Sequence, residues 1–238
     1  MSSAYEIELL NLASIFIPLG IVVVIYIRWV GDWKTPLYAS ARMLGQLLLV
    51  GYALKFVFEI SSVLISCLVL AFMISVSAWI ALRPLASKRK KLYLKTLLAL
   101  VLGGVPVLVL VVFGVVKFSP WYMPRYLIPL AGMIFANGMN SISLCAERLC
   151  AELKHGSDFM TARSVAYRAA LLPLTNSFFA VGLVSIPGMM TGQILSGASP
   201  LLAARYQIMV MCMMMGACGI SSAIFLYFLR DDVEDIKT

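Results

Sequence analysis

The sequence predicts an all-α protein that sits in a bilayer as a polytopic bundle of about seven spans. Three observations predict it. Apolar residues make up 62% of the chain and charged residues only 13%, against about 45–50% and about 25% in a soluble globular domain. Seven runs reach the roughly 20 apolar residues that a helix needs to cross the hydrocarbon core. The basic residues also fall almost entirely on one side of those runs, as the positive-inside rule requires.

Taken in order, the runs are Leu9–Ile27, Leu37–Phe58, Ser62–Leu82, Leu94–Val116, Tyr126–Cys145, Leu171–Gln193 and Ile208–Leu229. The N-terminal stretch Met1-Ser-Ser-Ala-Tyr-Glu-Ile-Glu8 lacks the basic n-region of a signal peptide, so the first run is expected to be a retained span. The second and third runs nearly touch, which implies a tight hairpin around Glu59-Ile60-Ser61. At 238 residues the chain is expected to form one membrane domain over 1–238.

One side of these spans receives Arg28, Lys34, Arg42, Arg83, Lys88, Arg89, Lys90, Lys91, Lys95, Arg148, Lys154, Arg163, Arg168, Arg230 and Lys237. The other receives Lys55, Lys117, Arg125 and Arg205. The first side is then cytoplasmic, with the N-terminus outside and the C-terminus inside. The formal charge of +8 is thus a topology signal, and the Lys88-Arg-Lys-Lys91 run suits anionic lipid. No basic face on a soluble surface points to nucleic acid.

Two connections stand out. Lys117–Arg125 is short and external, and its Trp121 and Tyr122 suit the interfacial aromatic belt. Glu147–Ala170 is the one sizeable cytoplasmic segment of mixed charge. Within it, Ser157 or Asp158 can cap a short helix after Gly156. That helix would carry Phe159, Ala162 and Ala166 as an apolar stripe, with Arg163 beside it, and would lie on the membrane or dock into a partner.

The sixth run is unusual. Over Gly182–Gly197 an apolar segment meets Pro187-Gly188, after which small and polar residues take over. Pro187 cannot donate to the carbonyl of Leu183, and its ring crowds that turn. A broken helix at membrane depth must face protein or a water-filled cavity, so this segment is either a packing kink or part of a pathway. Polar residues inside the other spans divide similarly. Arg42 and Gln46 share a helix face, where Arg42 either snorkels to the interface or meets a substrate. Asn137, Asn140 and Ser141 either bridge helices or line a path, and Gly132, Ala136 and Asn140 at four-residue spacing suit close packing. Asn176 and Gln193 flank the break, and Met189-Met190 follows it.

Several chemistries are excluded. The only histidine is His155, so no Ser-His-Asp triad or intramembrane His-carboxylate metal site can be assembled. The phosphate-loop pattern G-x-x-x-x-G-K-[ST] does not occur. The five cysteines lack CxxC spacing and read as buried small hydrophobes. Fourteen methionines could ligate soft metals or simply fill core gaps.

Pro187-Gly-Met-Met-Thr-Gly-Gln-Ile-Leu195, followed by Gly197, Pro200 and Tyr206-Gln-Ile208, resembles the signature of the FetB/YbbM-type permeases. Ala41-Arg42 with Gln46-Leu47, Ile128-Pro129 with Gly132-Met133-Ile134, and Arg168-Ala-Ala-Leu-Leu-Pro173 extend the resemblance over most of the chain. Those permeases are membrane subunits of an ABC-type iron exporter of the cell inner membrane, and the family includes plant aluminium-tolerance permeases. The resemblance implies a metal-exporting permease with no cofactor of its own, paired as two permeases with two cytoplasmic ATPases that bind ATP and Mg. The broken segment (Pro187, Gly188, Met189, Met190, Gln193) with Arg42, Gln46, Asn137, Asn140 and Asn176 would line the path. Gly156, Ser157, Asp158, Phe159, Ala162 and Arg163 would couple it to the ATPase, and the metal ligands stay unknown. An ATPase-independent secondary transporter or channel is the alternative.

The topology can be tested directly. A reporter fused after Thr238 is expected to be active only in its cytoplasmic form, and activity of an exported reporter there would refute the orientation.

Overall fold

The computed structural model describes residues 8–60, 62–232 and 234. The described residues are almost wholly helical and form two compact units, divided at Ile60. In the first unit, a short helix α1 (Leu9–Ala13) leads into α2 (Phe16–Val30) and α3 (Lys34–Glu59). Gly31 closes α2 in the left-handed region, φ 76°, and its amide returns to the Ile27 carbonyl at 3.0 Å. Asp32 then accepts from the amides of Lys34 and Thr35, so the next helix starts at once. Neither α2 nor α3 buries a residue, which leaves their apolar surfaces for lipid or protein. Of the hairpin expected at Glu59-Ile60-Ser61, Ser61 lies outside the described residues.

The second unit is a bundle of α4 (Val63–Ala81), α5 (Arg89–Val109), α6 (Pro124–Lys154), α7 (Phe159–Ala180), α8 (Gly188–Leu195) and α9 (Pro200–Phe228). Six segments among the described residues are long and apolar enough to cross a membrane: 11–30, 34–59, 63–81, 83–116, 124–154 and 200–228. The sixth expected run, Leu171–Gln193, is not one helix. Its place is taken by α7, which begins 12 residues earlier at Phe159 and stops at Ala180. α7 runs antiparallel to α6 and α9 and carries the chain back along the bundle. Ser141 of α6 meets Ala170 of α7, and at α9 a common cavity brings Arg163 to Tyr227 while another brings Phe178 to Gln207.

Most basic residues of this unit belong to one end, with Lys117, Arg125 and Arg205 assigned to the other. Lys95, near the start of α5, pairs with Asp232 just beyond α9. Lys91 lies 3.8 Å from the same carboxylate. Arg89 stacks its guanidinium 4.7 Å from the centre of the Trp79 ring at the end of α4. The opposite end is aromatic. Phe118 stacks on Tyr126 at 4.6 Å, Phe113 packs on Trp121 at 5.7 Å, and Ser66 donates to the Tyr122 carbonyl. Before that end α5 widens. Pro106 removes an amide, and Leu110–Val116 follows a π pattern whose last bond runs from Lys117 to Val112.

The centre of the bundle is a seam of small residues where α5 meets the backbone of α9 and packs closely on side chains of α6. A Cβ on Gly103 would fall 2.5 Å from the Ser221 amide nitrogen and 2.7 Å from its Cα. A Cβ on Gly104 would meet Phe135 at 2.8 Å and Ile134 at 2.9 Å. Such close approach is how helices associate where lipid is as apolar as leucine. The seam on α6 runs through Ala131, Gly138 and Ser141, all buried. The spacing Gly132, Ala136, Asn140 is not that seam: Gly132 faces Met73 of α4, and Ala136 and Asn140 are exposed.

Gly103→Ala forces a methyl against the backbone of Ser221 and is expected to destabilise by about 1–3 kcal/mol. Gly216→Ala, whose Cβ would sit 3.9 Å from Val107 in ordinary contact, is expected to be tolerated. Thermal unfolding of the two purified variants in detergent checks the contrast.

Candidate functional site

The break in the return leg starts at Val181, six residues before Pro187. Val181 is extended (φ −62°, ψ 129°) and Gly182 is left-handed at φ 80°. The amides of Val184 and Ser185 both return to the Ala180 carbonyl, at 2.8 and 3.2 Å, and Gly182 donates to Ser185 at 3.0 Å. These bonds satisfy the last carbonyl of α7 within a tight turn, so the helix stops there. The tip of the turn, Leu183 and Val184, is 88% and 84% exposed. Pro187 then serves as the N-cap of α8, extended at ψ 141°. Proline here starts a helix, where its missing amide costs nothing; the expected interruption at Pro187-Gly188 is therefore shifted to Val181–Ile186. α8 ends at Leu195, Gly197 follows at φ 94°, and Ser199 caps α9 through the Leu202 amide at 3.3 Å.

A cavity of about 450 Å³ lies where the end of α7, this turn and α8 face α9. Its walls are almost entirely apolar, from Phe178, Val181, Ile186, Pro187 and Ile208, with Met190 from α8 and Met211 and Cys212 from α9. Gln207 is its one polar side chain, only 5% exposed, and its Oε1 has no hydrogen-bond partner. Of the residues expected on the path, Pro187 and Met190 reach this cavity. Met189 is half-buried against the core, Gly188 and Asn176 are exposed, and Gln193 is half-buried. Arg42 and Gln46 are exposed on α3, in the first unit.

Asn137 and Asn140 do share a site. With Ser141 and Ser177 they line a smaller cleft of about 130 Å³ between α6 and α7. Asn137 donates to the Met133 carbonyl at 2.8 Å and contacts the Met214 sulfur at 3.3 Å. Ser141 bonds Ser222 of α9 at 2.8 Å and the Ala170 carbonyl at 3.2 Å. One hydroxyl thus ties α6, α7 and α9 at the back of the cleft.

The expected loop Glu147–Ala170 shrinks to His155–Asp158, because α6 continues nine residues past Cys145 and α7 starts at Phe159. Asp158 is the cap, accepting from Met160 and Thr161 at 3.0 and 3.2 Å. Hydrogen bonds from Thr161 hold its carboxyl below the usual carboxylate range. Gly156 turns the chain at φ 89°, and Ser157 donates to Glu152. The stripe Phe159, Ala162, Ala166 is real, but it is not free. Ala162 and Ala166 are fully buried in the bundle core and Phe159 packs against it. The outward face instead carries Met160 and Arg163. Two adjoining cavities, of about 510 and 390 Å³, share Arg163 and Tyr227. Arg230 and Phe159 line the first, Ser164 and Tyr167 the second. Neither Arg163 nor Arg230 forms a salt bridge among the described residues.

Sequence reasoning missed Gln207 as a site residue. The available signal was an amide at the edge of the last apolar run, one helical turn before Met211. No group of three or more His, Cys, Asp or Glu side chains able to hold a metal occurs among the described residues.

The family model described as "Uncharacterised protein family (UPF0014)" matches residues 7–233. A UPF0014 membrane protein of Synechocystis is 39% identical over 74% of this chain and 73% of its own length. The probable iron export permease protein FetB of Escherichia coli is 33% identical over 82% of this chain and 79% of its own. The protein ALUMINUM SENSITIVE 3 of Arabidopsis thaliana is 32% identical over 80% and 74%. No solved structure matches. With a family model spanning nearly the whole chain and relatives aligned over most of their length, this multi-pass helical membrane protein belongs to the UPF0014 family.

Proposed function

We propose that this chain is the permease subunit of a metal exporter driven by a separate cytoplasmic ABC-type ATPase. One observation carries the reading: α7 stops at Ala180, and the chain stays out of helix to Pro187 beside a cavity. A bundle built only for packing has no use for such a break, whereas a moving pathway does. The name of the Escherichia coli relative, a probable iron export permease, supports a metal cargo and an outward direction. The chain's lack of a phosphate loop supports a partner that hydrolyses ATP with Mg. Two permeases and two ATPases would form the working unit.

In this reading the basic end of the bundle is cytoplasmic, and the ATPase docks at the cavities shared by Arg163 and Tyr227. The docking surface is therefore the outward face of the α7 start plus the end of α9, and not the buried stripe. Arg163 and Arg230 would meet acidic groups of the ATPase, with Phe159 and Tyr227 as the apolar floor. Movement there would pass along α7 to its free end at Ala180, where the turn opens or closes the cavity.

Two tests follow. Arg163→Glu with Arg230→Glu is expected to leave membrane abundance unchanged and to cut copurification of the ATPase by about tenfold or more, since like charges at an interface repel. Unchanged recovery would remove this surface from the complex. Gly182→Val places a branched side chain where φ is 80°. It is expected to lower ATP-dependent metal efflux from proteoliposomes by about tenfold, the cost of a strained turn, with normal insertion. Efflux that persists without any ATPase would instead support a secondary transporter.

A further inference from the structure

Three sulfur-bearing residues from two helices line the cavity at the break: Met190 from α8, Met211 and Cys212 from α9. Gln207 stands four residues before Met211 on the same helix face. Its amide is buried, lines the same cavity and leaves Oε1 without a partner. A buried acceptor left unbonded is costly, and water or a ligand in the cavity would satisfy it.

The donor set decides what. Hard cations need carboxylates, carbonyls and water, and no charged side chain lines this cavity. Thioether and thiolate sulfur select soft cations with filled d shells. Charge makes the choice sharper. Cys212 can supply one negative charge by losing its thiol proton, and one monovalent cation cancels it, leaving a neutral site in apolar walls. A divalent ion would leave an uncompensated charge there.

We propose that this cavity binds a soft monovalent cation of the Cu(I) or Ag(I) class through Met190 Sδ, Met211 Sδ and Cys212 Sγ, with Gln207 Oε1 as a weak further donor. Binding one ion releases one proton, that of the Cys212 thiol. The proposal rests on the export reading and names the cargo class of its site.

Ag(I), which undergoes no redox change here, is the probe. The full-length permease carries Cys67→Ser, which removes the exposed thiol on α4, and is titrated in detergent by calorimetry in two buffers of different ionisation enthalpy. The expected result is one ion bound per chain with one proton released. Met190→Leu with Met211→Leu keeps side-chain volume and is expected to weaken binding by about tenfold or more, on the scale of a lost ligand contact. Cys212→Ser, at an exposed position, is expected to abolish the proton release. Unweakened binding in the double Leu variant means a thiol acting alone and overturns the site. So does a wild-type chain that binds no Ag(I), or Fe(II) displacing Ag(I) at equal concentration. Because the titration needs no ATPase, the two readings fail separately. Sulfur-dependent Ag(I) binding with no ATP-driven efflux of any metal sinks only the export reading. ATP-driven iron efflux intact in the Met190→Leu, Met211→Leu variant sinks only the soft-cation site.

Discussion

The second unit depends on the contact of α5 with α9 at Gly103 and Ser221. In hydrocarbon there is little hydrophobic gain from burying one helix on another, so association relies on close packing and interhelical hydrogen bonds. Gly103 allows α5 to reach the α9 backbone itself, and a single methyl would prevent it. Once the helices are that close, Ser222 comes within 2.8 Å of Ser141, and α6 is tied in. Phe135 and Leu100 fill the flanks of the contact, each essentially fully buried. Lys95 and Asp232 fasten the basic end of the same pair. The pair is partly exposed on the lysine side, so its contribution is modest compared with the seam.

Beside that seam, α7 packs on α6 and α9 through a face of mixed size. Ala162, Ala166, Ala170 and Leu174 are buried and Phe159 packs against the core, while Leu172 and Phe179 point outward. Its far end lies beside the cavity, where the chain turns at Gly182 and α8 and α9 supply the other walls. α7 thus runs from its cap at Asp158 at the basic end to the cavity at the other.

Much of the fold was legible in the sequence because a bilayer permits few alternatives. Backbone amides at depth must bond within the segment, so an apolar run of span length is a helix. The cap at Asp158 was legible for a similar reason, since a short acidic side chain before a helix start has one good use. The errors also have physical causes. Glu147, Arg148 and Glu152 look like a loop on a hydropathy scale, yet Arg148 and Glu152 pair at 2.5 Å one turn apart and extend α6 beyond the apolar core. The periodicity of Phe159, Ala162 and Ala166 was correct, but periodicity does not say whether the partner is another chain or the same one. The turn at Gly182 was hidden because Leu183, Val184 and Ile186 are as apolar as any span. Gln207 was hidden because it sits just before the last apolar run, two residues from Arg205, where a polar side chain is expected at the interface.

The contact pattern also constrains the order in which the protein can be made. α9 packs against α5, α6, α7 and α8, and among the described residues it is the last long helix in chain order. Until it arrives, Gly103 has no Ser221 to meet, Ser141 lacks its serine partner and Lys95 lacks Asp232. α4, α5, α6 and α7 also pack on one another, so a partial bundle can form first and α9 then closes the seam.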